Sequence, residues 1–299
     1  MNAVACLTIP GMNKPGPGPV HRQGAGSAVS PQPNLLPPMN RILLSSPPVA
    51  LMMALTMAAP AAAQEPALTA KDLSSRLAAQ IRDGSSLVRL KIETGNPATV
   101  LQLQMKSRRT AAGTQLLYQV LWPKERKGEG FVIRQSGNRA PEGNTYQPPG
   151  TLAPLTSSQM DQPVFGSDLS YGDLVENFFA WDQQTLKGQE TVDRVPCIIL
   201  ESKAGSGDRS QYSVVRSWID PKKLVPLRVE KFNRSGQLVR RITTTRVARD
   251  DTRKHVAASF TVQRPGQSST TSIQGSKSRH DVAYQDSDFA PEALRSSGQ

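Results

Sequence analysis

The apolar positions fall into two blocks of alternation separated by one irregular passage. A helical stripe comes first. Leu73, Leu77 and Ile81 recur every four residues, with Lys71 and Arg76 off the stripe. Thr69 and Asp72 have the spacing of a capping box, and Gly84 stops the run. Period-two alternation follows. Val88, Leu90 and Ile92 alternate with Arg89, Lys91 and Glu93, and Leu101, Leu103 and Met105 alternate with Gln102, Gln104 and Lys106. Leu116, Tyr118, Val120 and Trp122 form one face of the next strand, and Phe131 to Arg134 gives a shorter one. Such close spacing predicts an antiparallel meander rather than βαβ crossovers.

Between Gln135 and Gln162 the pattern lapses into Pro, Gly and Ser, which predicts a long loop of the kind used as a cover. The loop leads into Val164-Phe165-Gly166-Ser167-Asp168-Leu169-Ser170-Tyr171-Gly172-Asp173-Leu174, the stretch around which the two blocks are arranged. Ser170 and Asp173 again have capping-box spacing, with Asp replacing the usual Glu. Leu174, Phe178 and Trp181 recur at helical intervals beside Val175 and Phe179. A short apolar helix between two strand blocks predicts a cover laid on a sheet. The pattern fits a fixed core helix and a movable lid equally.

The second block begins with one strand or hairpin arm in Thr191 to Ala204. Tyr212, Val214, Arg216 and Trp218 share one face of the next strand, and Asp220-Pro221-Lys222-Lys223 is a turn. Leu227 and Val229, then Leu238 to Val247 and Val256 to Val262, continue the strands, with short ones expected at Thr270 to Ile273 and Val282 to Tyr284. Asp288 to Leu294 reads as a docked terminal turn. The expected fold is mainly β with helices (α+β). It is a curved antiparallel sheet or half-barrel of about ten strands, closed by short helices over an apolar cavity. Alternation alone fits a filled interior as well as a hollow one.

The N-terminal part lacks such periodicity. Residues 1–38 read as a disordered leader or a mis-called start, and residues 39–63 as a signal peptide with Arg41 in its basic region and Ala61-Ala62-Ala63 before the cut. Ser45, Ser46, Pro47 and Pro48 interrupt its apolar run, which argues against a permanent span. Residues 64–299 form the expected single domain, exported to the periplasm. The net charge is +12, of which Lys14, Arg22 and Arg41 belong to the presequence. Arg108-Arg109 and Arg240-Arg241 read as solvated strand faces. The absence of basic–aromatic clustering excludes nucleic acid as a partner. Cys197 is the single cysteine beyond the presequence, and its Val195-Pro196-Cys197-Ile198-Ile199-Leu200 setting predicts an inert buried thiol.

Three segments carry a resemblance. Phe165-Gly166-Ser167-Asp168-Leu169-Ser170-Tyr171-Gly172-Asp173-Leu174 resembles the Gly-Ser/Thr-Asp-Phe-x-Tyr-x-Asp-Leu signature of outer-membrane lipoprotein-sorting proteins, relatives of the periplasmic lipoprotein carrier of the Lol system. Ser217-Trp218-Ile219-Asp220 with Pro226-Leu227-Arg228-Val229-Glu230, Phe232 and Gly236 resembles the family's hairpin, with Asn233 where the family has Asp. Phe289-Ala290-Pro291-Glu292-Ala293-Leu294 resembles its closing segment. The resemblance implies a half-barrel closed over an apolar cavity, carriage of lipid acyl chains or lipoproteins between membrane donor and acceptor proteins, and no catalytic residue. The family's cover-holding arginine has no evident position here.

On this reading the lid residues are Phe165, Leu169, Tyr171, Leu174, Phe178, Phe179 and Trp181. The cavity wall is drawn from Leu101, Leu103, Met105, Tyr118, Trp122, Val214, Arg216 and Trp218. Arg216, in phase with Val214 and Trp218, serves either the cover or the sheet edge. Neither His255 nor His280 has a second ligand at metal spacing, so no metal or cofactor is expected, and the protein is expected to be a monomer. Two other functions use the same pattern. One is an envelope sensor or interaction module without cargo transfer. The other, an envelope lipid hydrolase, lacks a Gly-x-Ser-x-Gly elbow.

Overall fold

The computed structural model describes residues 68–81, 84–95, 97–137 and 139–296. The leader and signal segments expected in residues 1–63 lie outside the described residues. Helix α1 (Ala70–Ile81) has the expected capping box: Asp72 N–H donates to Thr69 Oγ1 at 3.1 Å and Thr69 Oγ1 donates to Asp72 Oδ2 at 2.6 Å. Its Leu73, Leu77 and Ile81 stripe is buried against the sheet.

Among the described residues the sheet has thirteen strands rather than about ten. They are β1 (Gly84–Thr94), β2 (Thr99–Thr110), β3 (Gly113–Trp122), β4 (Gly130–Ser136), β5 (Glu142–Tyr146), β6 (Leu152–Leu155), β7 (Gln183–Val192), β8 (Val195–Lys203), β9 (Val214–Asp220), β10 (Val225–Phe232), β11 (Leu238–Arg249), β12 (His255–Gln263) and β13 (Thr270–His280). The spatial order is β6-β5-β4-β3-β2-β1-β13-β12-β11-β10-β9-β8-β7, all antiparallel. The described strands therefore begin in the middle of the sheet with β1, run out to edge β6, cross to the opposite edge β7 and return to the middle. Residues 156–182 make that crossing. The two edges do not pair, so the sheet stays open. The register shifts within the β1–β13, β2–β3, β10–β11 and β11–β12 pairs are irregularities of the kind that bend and twist a sheet.

Two departures have clear causes. The expected loop after Gln135 contains β5 and β6. These short strands, β6 at the edge and β5 beside it, bury little and need no apolar alternation, and the edge position of β6 tolerates Pro154. Val282 to Tyr284 is not a strand. It runs along the outer face, where Tyr284 donates its hydroxyl to the Ser86 carbonyl at 3.1 Å. The segment leads into a terminal turn (Asp286–Phe289) and helix α3 (Ala293–Ser296).

The faces divide by strand parity. Val88, Leu90, Leu101, Leu103, Met105, Leu116, Tyr118, Phe131, Val215, Ile219, Val229, Ile242 and Phe260 belong to the main core under the crossing segment. Leu117 and Val132 point the other way and pack with Phe289, Ala293 and Leu294. A third cluster on the outer side joins Val192, Cys197, Trp218, Val225, Leu227 and Ala257.

Candidate functional site: a cover latched by buried charge

The crossing segment closes over the apolar face. Val164 N–H donates to the Leu169 carbonyl at 2.8 Å, forming a tight turn in which Phe165 and Gly166 both have positive φ (53° and 78°). Thr94 Oγ1, at the end of β1, holds the Gly166 carbonyl at 3.2 Å. Asp168 is buried and accepts from Thr271 Oγ1 at 2.8 Å and from Ser269 Oγ at 3.2 Å. Ser170 caps α2 (Tyr171–Val175), with its N–H donating to Asp173 Oδ2 at 2.8 Å.

The expected continuous helix to Trp181 is not formed. Glu176 turns extended after α2, and a separate 3-10 turn covers Phe178–Ala180. The break lets Glu176 reach back to Lys231 and Ser210. The apolar side chains keep their burial all the same. Leu169, Leu174, Phe178, Phe179 and Trp181 are buried in one cluster with Leu101, Leu103, Met105 and Tyr118, and Phe165 and Tyr171 pack against it partly buried. Phe131 stacks on Tyr118 at 4.9 Å and meets the Tyr171 ring edge-on at 4.9 Å. Gln184 of β7 fastens the far end by donating to the Phe178 and Trp181 carbonyls at 3.0 and 2.9 Å.

The other wall candidates lie elsewhere. Val214, Arg216 and Trp218 occupy the phase of β9 opposite to Val215 and Ile219. Arg216 is exposed, donating to Glu201 at 2.8 Å with its guanidinium over Phe232. Trp218 donates to Glu190 Oε2 at 2.7 Å within the outer cluster. Both phases of β9 contain apolar residues, so alternation alone cannot choose the inward one. Trp122 stands at the end of β3, 49 % exposed.

The polar part of the site was missed by periodicity. Lys231 on β10 and Arg240 on β11 are direct cross-strand partners in phase with the buried Val229 and Ile242. Like charges directly opposite repel. Asp173 sits between them. Lys231 Nζ, fully buried, donates to Asp173 Oδ1 at 2.7 Å and to Glu176 Oε2 at 3.2 Å. Arg240 Nη1 donates to Asp173 Oδ2, to the Tyr212 hydroxyl and to Ser170 Oγ. The Tyr212 hydroxyl in turn donates to Asp173 Oδ1 at 2.9 Å. Lys231 also lies over the Phe178 and Tyr212 rings, at 5.4 and 4.6 Å. Arg109 on β2 adds a second tie, Nη2 to the Leu174 carbonyl at 3.0 Å. Burial pushes Lys231 below the usual ammonium range against the opposing pull of Glu176. Burial, then the nearby Arg264 charge, lowers Arg240 to about 10. Burial raises the Tyr212 hydroxyl well above its ordinary value.

Arg109 and Arg240 thus correct the expectation of solvated basic pairs. Successive strand residues face opposite ways, so each Arg-Arg dipeptide sends one guanidinium inward and one outward. Arg241, the outward one, pairs with Glu230. The available signal was phase: Arg109 continues the Leu101-Leu103-Met105 series.

His280 also departs from its sequence reading. Asp250, Asp251 and His280 place ligand atoms within 4.8 Å of one another, although 29 residues separate Asp251 from His280. His280 Nδ1 bonds Asp251 Oδ1, and Nε2 faces Asp250 Oδ2 at 3.9 Å. Asp250 Oδ1 accepts from Thr252 Oγ1 and Lys254 N–H, so internal hydrogen bonds account for much of this group.

The site is thus an open antiparallel sheet closed on one face by a strap that joins its two edges, and this fold recurs in known structures. A family model described as "Uncharacterized protein" matches residues 112–296, more than half of the chain, and the chain belongs to that family. A DUF1329 family protein from Desulfovibrio piger has the same fold, with a TM-score of 0.70 and 22% identity over 75% of this chain and 97% of that one. A proposed outer membrane lipoprotein-sorting protein domain from Vibrio parahaemolyticus gives 0.67 and 19% identity over 76% and 98%. A LolA superfamily protein from Nitrosomonas europaea gives 0.59 and 18% over 75% and 98%. No curated protein matches the chain. Among the described residues no helix is long and apolar enough to cross a membrane.

Proposed function

We propose that this protein is a periplasmic carrier that takes an acyl chain of a lipid or lipoprotein between cover and sheet. The observation that supports this most is the pairing of an aromatic cover with an apolar sheet face through a buried charged latch. Dry packing alone would need no Lys231–Asp173–Arg240 set, and replacing such a set by apolar residues commonly stabilises a fold. The energetics of exchange balance. Each cover side chain lifted off the sheet loses about 2 kcal/mol, about 14 kcal/mol for the seven. An acyl chain of about 15 methylenes returns about 12 kcal/mol in the same space. The latch then decides whether the cover is shut. Residues 39–63 act as the export signal and residues 64–299 as the mature carrier.

A second reading, an interaction module with a permanently filled core, draws support from the complete burial of Phe178 and Leu174 in the sheet cluster. Native mass spectrometry with lipid extraction, on protein purified from its own periplasm, separates the two. The carrier predicts co-purified lipid or acylated peptide, lost on replacing Phe178 and Trp181 by Asp and retained in Arg216→Ala. A clean mass that stays unchanged after incubation with phospholipid and acylated peptide removes the carrier reading and selects the module. Cover-latch variants such as Asp173→Asn, which leave the apolar residues in place, guard against a charged variant that fails to fold.

A further inference from the structure

On the outer face, away from the cover, the arginine left over from the first Arg-Arg pair borders a cleft of about 640 Å³. Arg108 on β2, Gln115 on β3, Arg134 on β4 and Glu142 on β5 are successive partners in one row across the sheet. This row has the parity of Leu117 and Val132, the outer-face residues packed under Phe289. Arg139 in the β4–β5 turn and Asp286 in the terminal segment complete the charged rim.

The row is rich in donors. Arg108 Nε donates to Gln115 Oε1 at 2.6 Å, which commits the Gln115 oxygen and leaves its amide N–H groups to donate. Arg108 also holds the Tyr284 carbonyl at 3.2 Å and pairs with Asp286, so its guanidinium is fixed in place. Arg134 and Arg139 have no ion pair among the described residues. Three guanidinium groups thus face two carboxylates, one of which is already engaged. The wall is set by close backbone approach: a Cβ on Gly113 would lie 2.2 Å from the Gln135 carbonyl oxygen. The volume falls in the range of small-molecule sites.

We propose that this cleft binds a phosphate-bearing polar group, with Arg134 and Arg139 as its principal ligands and Gln115 as a neutral donor beside them. Guanidinium forks match phosphate oxygens in pairs, and a fixed Arg108 lends positive potential without having to be reorganised. The phosphate is either a free phosphate ester or the headgroup of a lipid in a membrane surface.

Calorimetric titration of the protein with inorganic phosphate and glycerol 3-phosphate tests the free source. Co-sedimentation with phosphatidylcholine vesicles, with and without phosphatidylglycerol, tests the headgroup. Titratable binding of glycerol 3-phosphate assigns a soluble ligand. Binding confined to phosphatidylglycerol vesicles assigns the headgroup. In either case Arg134→Gln with Arg139→Gln should weaken it by about 10- to 100-fold. Arg139→Gln alone, at an exposed turn, should weaken it less while leaving the melting curve unchanged. Absence of binding to all probes, or binding that these variants leave intact, overturns the proposal.

Discussion

Replacing Asp173 by Asn tests the latch most directly. Asparagine has nearly the same shape, and its amide oxygen can still accept from Ser170, so the cap of α2 largely survives. What is lost is the negative charge between Lys231 and Arg240, two buried cations facing each other across strands. Glu176 remains, 3.2 Å from Lys231, but it does not reach Arg240. Breaking a buried pair from one side costs about 3–5 kcal/mol, because the surviving charge is stranded. For a domain of this size about 2–4 °C is lost per kcal/mol, so the midpoint should fall by roughly 6–20 °C. Denaturant unfolding measures the total. Hydrogen exchange locates it, with the amides of Val164, Ser167, Gly172 and Glu176 exchanging faster before those of β1 and β2 do. Lys231→Met in the same protein should restore part of the loss, with a coupling of about 1–3 kcal/mol. A loss below about 1 kcal/mol with unchanged exchange in the cover would refute the latch.

Other consequences are smaller. Arg216→Ala removes one of three cations around the buried Glu201 carboxylate; Lys187 and Lys203 stay at 3.5 and 3.8 Å, so stability should change by no more than about 1 kcal/mol, measured by urea unfolding. Cys197 is buried and burial raises its thiol, so iodoacetamide should label it only at the rate of unfolding; rapid labelling of native protein would contradict this placement. The Lys106 hydrogen bond holds the Asp288 carboxyl below its ordinary 3.8. A lowered carboxylate contributes stability above its unfolded-state value and loses it as pH falls through the folded one. Lys106→Met should therefore flatten the acid limb of a melting-temperature–pH curve below about pH 4. Parallel limbs would show that the terminal segment is held by other contacts.

The sequence made the alternation legible wherever one face of a strand is wet. β1, β2 and β3 show this, as does the capped start of α2 beside the cover turn. It was blind in three places for three reasons. The edge strand β6 and its neighbour β5 bury too little to leave a pattern. In β9 both phases are apolar, so Trp218 and Ile219 offer no choice of face, and Arg216, a wall candidate open to either cover or edge, lies outward. Arg240 and Arg109 read as ordinary surface charge, and Lys231 does not stand out at all, because charge is scored by composition rather than by phase. Placed in register with Val229, Ile242 and Met105, they mark an apolar stripe interrupted by cations, and such a stripe needs an anion from another element. Asp173, which caps α2, supplies that anion as well.

The strand order has a consequence in time. β1 gains β2 as its neighbour after a short connection, but its other neighbour is β13, the last strand of the chain. A chain emerging from its N-terminus therefore holds the centre of its sheet unzipped until nearly everything else has been delivered. During that interval β1 offers an unsatisfied row of amides and carbonyls, which invites foreign strands. The closing event is also a very distant pairing in sequence, which slows folding. The centre of the sheet is therefore completed last, by the C-terminal strand β13.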